Sequence, residues 1–506
     1  MHKPDCTCVE KPKHSELPMR RVALLIPLML SFCQPGHELN DTIRDCSTFV
    51  ESVTKDNIPV RPFAIKFSSE VSHRYLGFGL SVYGQETRYL DRMLELKPAF
   101  VRLEAGPSWA SLEQQVPDDP AMLKEHIAAH FNEQDPGRLQ KFKESFAFFK
   151  EHNIRVILII YQQPYHWLQN DYMKTFKPGA EKKLVRLWVA LLEYFRSHDM
   201  QVDYVELANE PEGNWNGHIP AKRYFDMVVD ARKSFDAAGF SHVRILGPGL
   251  SSLDLEGIPT RWIQSMPPGA ERSIYAFSLH AWDEVLTDSD NLNVMRNAWK
   301  SPKAAFRKIN PEKLVFITEY AREVSRRRDA KYYSPAKSAL FTASDTHEFA
   351  IQFVANTLIH INQGASAPVA WRLSDLNGDP SSWGLIRSPE RGGSNRPAFE
   401  AFKFLNQHLM ENAGVWKPAN PIQDDTIAAV LLNRDGQFVL AVANAGADYR
   451  DLDIEVPSGD TGDAQWSLFS EKVPDCTEEF SDANNSESTH RIRMPPFSIG
   501  VLRWSE

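Results

Sequence analysis

Val205-Glu206-Leu207-Ala208-Asn209-Glu210-Pro211 is a short apolar run that closes on a carboxylate followed by proline. Leu314-Val315-Phe316-Ile317-Thr318-Glu319 repeats the arrangement further along, an apolar strand ending in a carboxylate. Burying an ionised group at a strand tip is costly unless it is paired or put to use, so the two ends call for one explanation. Outward from them, short apolar runs alternate with amphipathic stretches. The expected strands are Leu76–Ser81, Phe100–Leu103, Arg155–Tyr161, Val205–Asn209, Arg244–Gly247, Ala276–His280, Leu314–Thr318 and Pro368–Trp371. Helical patterns such as Leu184 to Phe195 and Tyr224 to Phe235 fall between them, with apolar residues three and four apart. Such alternation predicts a parallel sheet. Eight strands is the count of a closed barrel, and no Gly-rich phosphate loop of an open doubly wound sheet is present. The expected class is α/β, a (β/α)8 TIM barrel.

The pairing of Asn209-Glu210-Pro211 with Thr318-Glu319 resembles clan A glycoside hydrolases, the retaining (β/α)8 enzymes that include families 5, 30 and 39. The resemblance spans roughly residues 75 to 408, and its specificity lies in the pairing rather than in either motif alone. It implies retaining hydrolysis of β-glycosidic bonds in an oligo- or polysaccharide. One carboxyl group stays protonated to assist the leaving oxygen, and the other attacks the anomeric carbon from about 5–5.5 Å away. On the same basis Glu210 is the acid/base and Glu319 the nucleophile. Asn209 matches the residue that binds the sugar 2-hydroxyl, and Arg102 the strand-two arginine that keeps the nucleophile ionised. His280 matches a His or Tyr position, and Trp371 the aromatic platform under the scissile sugar. The pattern departs from the clan at Trp282, which stands two residues after His280 where a Tyr usually contacts the nucleophile, so a different residue is expected to hold Glu319.

Each residue also has a plainer reading. Glu210 suits a helix start, Glu319 can pair with Arg322, and Arg102 can pair inside the barrel with Glu104 or Glu206. His280 can be an ordinary satisfied histidine. The alternative for the whole chain is a non-catalytic carbohydrate-binding or surface-assembly protein on a degenerate barrel. A metal-dependent barrel hydrolase needs clustered His, such as His-x-His after strand one, and Gly77-Phe78-Gly79-Leu80-Ser81 offers none. No cofactor and no metal are expected.

Trp109, Trp167, Trp215, Trp282, Trp371 and Trp383 all fall just past expected barrel strands, half of the 12 Trp in the chain. Barrel active sites sit on that face, and flat aromatic faces stack on the C–H faces of sugar rings. Trp167, Trp215, Trp282 and Trp371 are accordingly expected to contact substrate. Long connections at Gly106 to Gly137, Arg322 to His347 and Arg372 to Pro397 are candidate cleft walls. The last two carry Arg322, Arg326, Arg327, Arg328, Lys331, Arg372, Arg387, Arg391 and Arg396. Either these bind acidic sugars, or they pair with Glu323, Asp375, Asp379 and Glu390 and fix the loops.

Past about Gln407 the pattern turns to short strands at Thr426–Leu432, Gln437–Ala443, Asp451–Val456, Gln465–Phe469, Arg491–Met494 and Ile499–Trp504. Turn signals such as Asp435-Gly436 separate them. This looks like the C-terminal β-sandwich domain that family 30 and 39 enzymes carry. The expected division is a leader at 1–33, an N-terminal segment at 34–70, the barrel at 71–408 and the sandwich at 409–506. Family 30 implies that Arg61 to Phe67 joins the sandwich.

The chain has 506 residues, 42% of them hydrophobic and 24% charged, and a net charge of −9. That size suits a barrel plus a smaller domain. With no concentrated basic stripe, a nucleic-acid partner is not expected. Met19-Arg20-Arg21 followed by the apolar run Val22 to Phe32 reads as an export signal, too short to span a bilayer, and makes Met19 a plausible start. An exported location is expected, with no transmembrane helix. Leu30-Ser31-Phe32-Cys33 resembles a bacterial lipobox, with Phe32 where a small residue is usual, and suggests a lipid anchor at Cys33. An oxidising compartment would favour pairing of Cys46 with Cys476.

Overall fold

The computed structural model describes residues 61–505 apart from 84–86, 105–115, 134–136, 162–166, 170–174, 215–216, 254–256, 283–290, 323–342, 377–381, 457–463, 472–475 and 481–488. The export signal, Cys33 and Cys46 lie outside the described residues, as does the side chain of Cys476. Among the described residues no helix is long and apolar enough to cross a membrane.

In chain order the strands are β1 (Arg61–Tyr75), β2 (Gly79–Tyr83), β3 (Phe100–Glu104), β4 (Arg155–Ile159), the small pair β5 (Leu168–Gln169) and β6 (Thr175–Phe176), β7 (Tyr204–Glu206), β8 (Arg244–Leu250), β9 (Ala276–Trp282), β10 (Leu314–Ala321) and β11 (Ala365–Ala370). β2, β3, β4, β7, β8, β9, β10 and β11 close into a barrel in that order. Every neighbouring pair around the ring is parallel. All eight expected strands are therefore present, with shifted ends. β7 stops at Glu206 because the chain bends over Leu207–Glu210, whereas β9 and β10 run on to Trp282 and Ala321.

The helices pack on the outer face of the ring. Helix Ala180–Ser197 buries Leu184, Leu187, Trp188, Leu191 and Phe195, a stripe at three- and four-residue spacing. The indole N–H of Trp188 donates to the Leu207 carbonyl at 3.0 Å, so this helix is pinned to the bend that carries Glu210. The connection Gly106 to Gly137, expected to be a loop, contains helix Pro120–Glu133.

Eight further strands follow the barrel: β12 (Ala413–Pro418), β13 (Ile427–Arg434), β14 (Gln437–Asn444), β15 (Arg450–Glu455), β16 (Ala464–Ser470), β17 (Cys476–Phe480), β18 (Thr489–Met494) and β19 (Ser498–Ser505). With β1 they form one nine-stranded sheet, ordered β17-β16-β19-β14-β13-β12-β1-β15-β18. The first half of β1 runs parallel to β15 and the second half antiparallel to β12, with register shifts between Phe67 and His73. The bend lets the two halves close on one core that includes Ile65, Phe67, Leu440, Ile454, Trp466, Met494 and Trp504. β12 and β17 were not expected from sequence. Ala-Gly-Val-Trp-Lys-Pro contains a glycine and ends in proline, and Cys-Thr-Glu-Glu-Phe is mostly polar, so neither shows apolar alternation.

Candidate active site

Along a strand every second side chain faces the barrel axis, and in this barrel the steps change character from the bottom upward. Phe100, Ile157, Tyr204, Leu246, Ala276, Phe316 and Val369 form an apolar floor. One step further along the same strands come Arg102, Glu206, Ser278 and Thr318, all within 2% of full burial. Above these lie Asn209, Glu210, His280 and Glu319. Trp282, Trp371 and Trp383 form the rim: Trp282 meets Trp371 with ring centroids 6.3 Å apart and Trp383 at 5.2 Å.

The buried ionic layer is fully tied. Arg102 donates from Nη1 to Glu319 Oε2 at 2.8 Å and from Nη2 to Asn209 Oδ1 at 2.6 Å. Its Nε and Nη2 both reach Glu206 Oε2, at 3.2 and 3.1 Å. The other oxygen of Glu206 accepts from the hydroxyls of Ser278 at 2.7 Å and Thr318 at 2.9 Å. Gly249 is needed beside it, because a Cβ there would stand 2.6 Å from Glu206 Oε1. Arg102 thus serves both readings drawn from sequence, the interior partner of Glu206 and the cation on Glu319. Glu206 is the member that sequence reasoning gave only as a structural partner. Its signal is its place two residues beyond Tyr204, on the same inward face.

Thr318 and Glu319 are consecutive, yet both face the interior. A register shift between Ile317 and Glu319 in the pairing of β10 with β9 makes this possible, since a bulge lets neighbouring residues share a face. Glu319 Oε1 accepts from the indole N–H of Trp282 at 3.0 Å. Trp282 is therefore itself the group that holds Glu319, correcting the expectation that a different residue does so. Indole N–H replaces phenol O–H as the donor.

Glu210 lies past the end of β7 with φ 45°, a left-handed conformation that costs a side-chain-bearing residue on the order of 1 kcal/mol. It is held there by its N–H to the Gly249 carbonyl, 3.0 Å, and by the Gly213 N–H to its own carbonyl, 3.0 Å. Its Oε1 is 2.9 Å from His280 Nδ1. His280 is fully buried. Burial opposes charge on the ring, but Glu319 and the hydrogen bond to Glu210 outweigh it, and the His280 pKa is raised. The Glu319 pKa is also raised: burial drives it up, His280 and Arg102 pull it back, and Glu210 and Glu206 add to the rise.

One carboxylate oxygen of Glu210, one of Glu319 and a ring nitrogen of His280 lie within 4.8 Å of one another. Such a triad has the donor set of a metal site, and the Arg102 guanidinium lies 2.8 Å from the Oε2 of Glu319 beside it. The two carboxylates are thus close neighbours, one under a guanidinium and the other beside an imidazole.

A carboxyl group with a raised pKa in the folded state contributes stability that is complete below its unfolded pKa and is lost as pH rises through the folded value. Glu319→Gln removes that loss. The variant should melt close to the parent at pH 4 and above it at pH 8, as measured by calorimetry. An equal offset at both pH values would show that Glu319 does not titrate in this way.

Of the expected tryptophans, Trp282 and Trp371 reach the site. Trp167 is 3% exposed and belongs to the main hydrophobic core. Trp215 and Trp109 lie outside the described residues, as do Arg326, Arg327, Arg328 and Lys331. Arg387 and Arg396 both pair with Asp345, and Arg396 also with Asp375 at 2.7 Å. Arg391 donates to Ser382 at 2.8 Å and Arg372 to the Tyr83 hydroxyl at 2.7 Å. These arginines fix the loop after β11. A concavity of about 890 Å³ beside Arg434 and Arg503 contains no carboxylate pair and none of the residues above.

No protein-family sequence model and no curated protein sequence matches this chain. Solved structures do. A conserved exported protein from Bacteroides fragilis superposes with TM-score 0.64 at 12% identity, over 87% of this chain and 100% of that one. A glycoside hydrolase family 30 subfamily 8 xylanase from Clostridium acetobutylicum gives 0.60 at 12%, over 88% and 99%. A family 39 enzyme from Xanthomonas axonopodis pv. citri gives 0.53 at 12%, over 88% and 98%. The fold is that of the clan A glycoside hydrolases. The barrel and the β-sheet domain are both covered by the likeness, and at such identities it concerns the fold alone.

Proposed function

We propose that this protein hydrolyses β-glycosidic bonds with retention of anomeric configuration. The observation that carries the reading is the approach of Glu210 and Glu319 within 4.8 Å, with Arg102 on one and His280 on the other. Such an approach is in keeping with a retaining pair, whose carboxyl groups stand about 5–5.5 Å apart. Glu319, held by Arg102 and the Trp282 N–H, attacks the anomeric carbon. Glu210 gives its proton to the departing oxygen, and then takes one from the water that releases the glycosyl-enzyme. His280 steers the Glu210 carboxyl. The raised pKa of Glu319 sets an acid limb: activity grows as pH rises and Glu319 ionises.

Buried polar atoms without partners support a sugar in this place. Asn209 Nδ2, Trp371 Nε1 and Ser81 Oγ are all buried and unpaired, an arrangement that is costly until a ligand pairs them. The Asn209 amide is oriented by Arg102 through its oxygen, leaving its N–H groups for a sugar hydroxyl. The test is incubation with xylan, β-1,6-glucan and aryl β-glycosides, with the first-formed anomer read by NMR. A β product from a β substrate is expected. An α product, or no cleavage of any β-linked substrate, would remove the reading.

A further inference from the structure

Glu104 ends β3, two residues beyond Arg102 and on the same inward face. It shares a wall of the barrel mouth with Ser81, Tyr83, Tyr161, Trp371 and Arg372. Its carboxylate has no hydrogen bond or ion pair among the described residues, although it is half-buried. The acids around it are otherwise engaged: Glu206 by four donors, Glu319 by Arg102 and Trp282. Of the cations around it, Arg102 bonds Glu206, Glu319 and Asn209, Arg138 lies over the Phe131 and Phe142 rings, and Arg372 donates to the Tyr83 hydroxyl and lies 5.4 Å from its ring centroid. The same wall carries the unpaired Trp371 N–H and Ser81 hydroxyl. An unpaired carboxylate in a half-buried wall lacks donors, and a sugar ring supplies them as hydroxyl groups. A uronate carboxylate supplies none and is repelled.

We propose that Glu104 binds hydroxyl groups of the sugar that occupies the barrel mouth, and that the site therefore takes neutral β-linked sugars in preference to uronates. This rests on the reading of the mouth as a sugar site and names the class of sugar. Burial pushes the Glu104 pKa up to about 7, against the pull of Arg102, Arg138 and Arg372 and with the help of Glu319. Tyr161, after β4, faces the same wall. Affinity for a neutral sugar should accordingly rise as pH passes through the neutral range, and this dependence should vanish when Glu104 is replaced.

The test uses calorimetric titration on a Glu319→Gln background, so that nothing turns over. The probes are xylobiose, cellobiose, gentiobiose and a disaccharide bearing glucuronic acid. At least one neutral disaccharide should bind more tightly than the acidic one. Glu104→Ala should weaken it by about 10–100-fold, the range for a hydrogen bond to a charged group. Glu104→Gln, which keeps shape and folding, should lose less affinity for the neutral sugar, lose the pH dependence and gain affinity for the acidic one. Unchanged neutral binding in both Glu104 variants would overturn the proposal, as would preference of the background protein for the acidic disaccharide, or no binding of any of the four. Binding is read apart from turnover. A protein that binds neutral sugars through Glu104 but never cleaves them refutes the hydrolase reading alone, whereas cleavage with Glu104-independent binding refutes only this proposal.

Discussion

Replacing Glu319 by Gln should lower kcat on any β-glycoside by roughly 10^4–10^6-fold, because no covalent intermediate can form without the nucleophile. Glu210→Ala should behave differently. A substrate with a poor leaving group depends on protonation and should slow by about 10^2–10^4-fold. An aryl glycoside with an acidic phenol needs little help leaving, so its first step survives and the glycosyl-enzyme accumulates. A small nucleophile such as azide, which needs no general base, should then restore turnover and give a β-glycosyl azide. The two variants together test the roles and not merely the importance of the residues. Equal losses on both substrate types, or azide rescue giving an α-azide with Glu210→Ala, would contradict the assignment. His280 sharpens the test. Glu210 keeps its place through this ring and through a left-handed backbone, outside the hydrogen bond that ties Arg102 to Glu319.

Arg102→Met should produce the second large effect, on stability as well as on rate. The guanidinium is 2% exposed and bonds Glu206, Glu319 and Asn209 together. Taking it away leaves two buried carboxylates with no cation between them, which costs about 3–5 kcal/mol for a broken buried pair. A double variant that also carries Glu206→Gln should regain part of that stability, because one of the stranded charges is gone. It should not regain activity, since Glu319 still lacks its cation. Chemical denaturation of the two variants and the parent measures this coupling. A loss below about 1 kcal/mol for Arg102→Met would show that water or a neighbouring group takes over the role.

Much of this centre was legible in the sequence because strand periodicity ties position to direction. Once Glu210 and Glu319 are placed at strand ends, Arg102, Asn209 and His280 fall on the inward faces of neighbouring strands, and they do meet. What was not legible depended on local backbone events that leave no pattern. The bulge in β10 turns both Thr318 and Glu319 inward. The extension of β9 by two residues carries Trp282 over Glu319, whereas a strand ending at His280 gave no reason to expect contact. Tryptophan position relative to a strand end was a weaker guide to exposure: Trp371 and Trp282 stay partly exposed at the mouth, while Trp167 is buried, because a large apolar ring gains free energy from burial wherever it can pack. The arginines after β11 showed the limit of counting charge. Arg387 and Arg396 are taken up by Asp345 and Asp375, residues separated from them in sequence but not in space.

β1 straddles the β-domain, parallel to β15 and antiparallel to β12, and it is joined to its partners across a long span of chain: the hydroxyl of Ser72 reaches the carbonyl of Val415, 343 residues away. β1 therefore has its hydrogen-bonding edges open until β12 and β15 have been made. Contacts of such separation slow folding and leave an exposed edge in the meantime. The eight barrel strands all lie between Gly79 and Ala370, but the β-domain draws β1 from before them, so cutting the gene at the barrel's end leaves the C-terminal half incomplete. A fragment of residues 409–506 lacks the strand that joins β15 to β12. A permuted chain that begins at Gly79 and carries residues 61–75 after Ser505 would have every strand of the β-domain emerge together. Of the two orders of synthesis, the permuted one should refold faster and aggregate less.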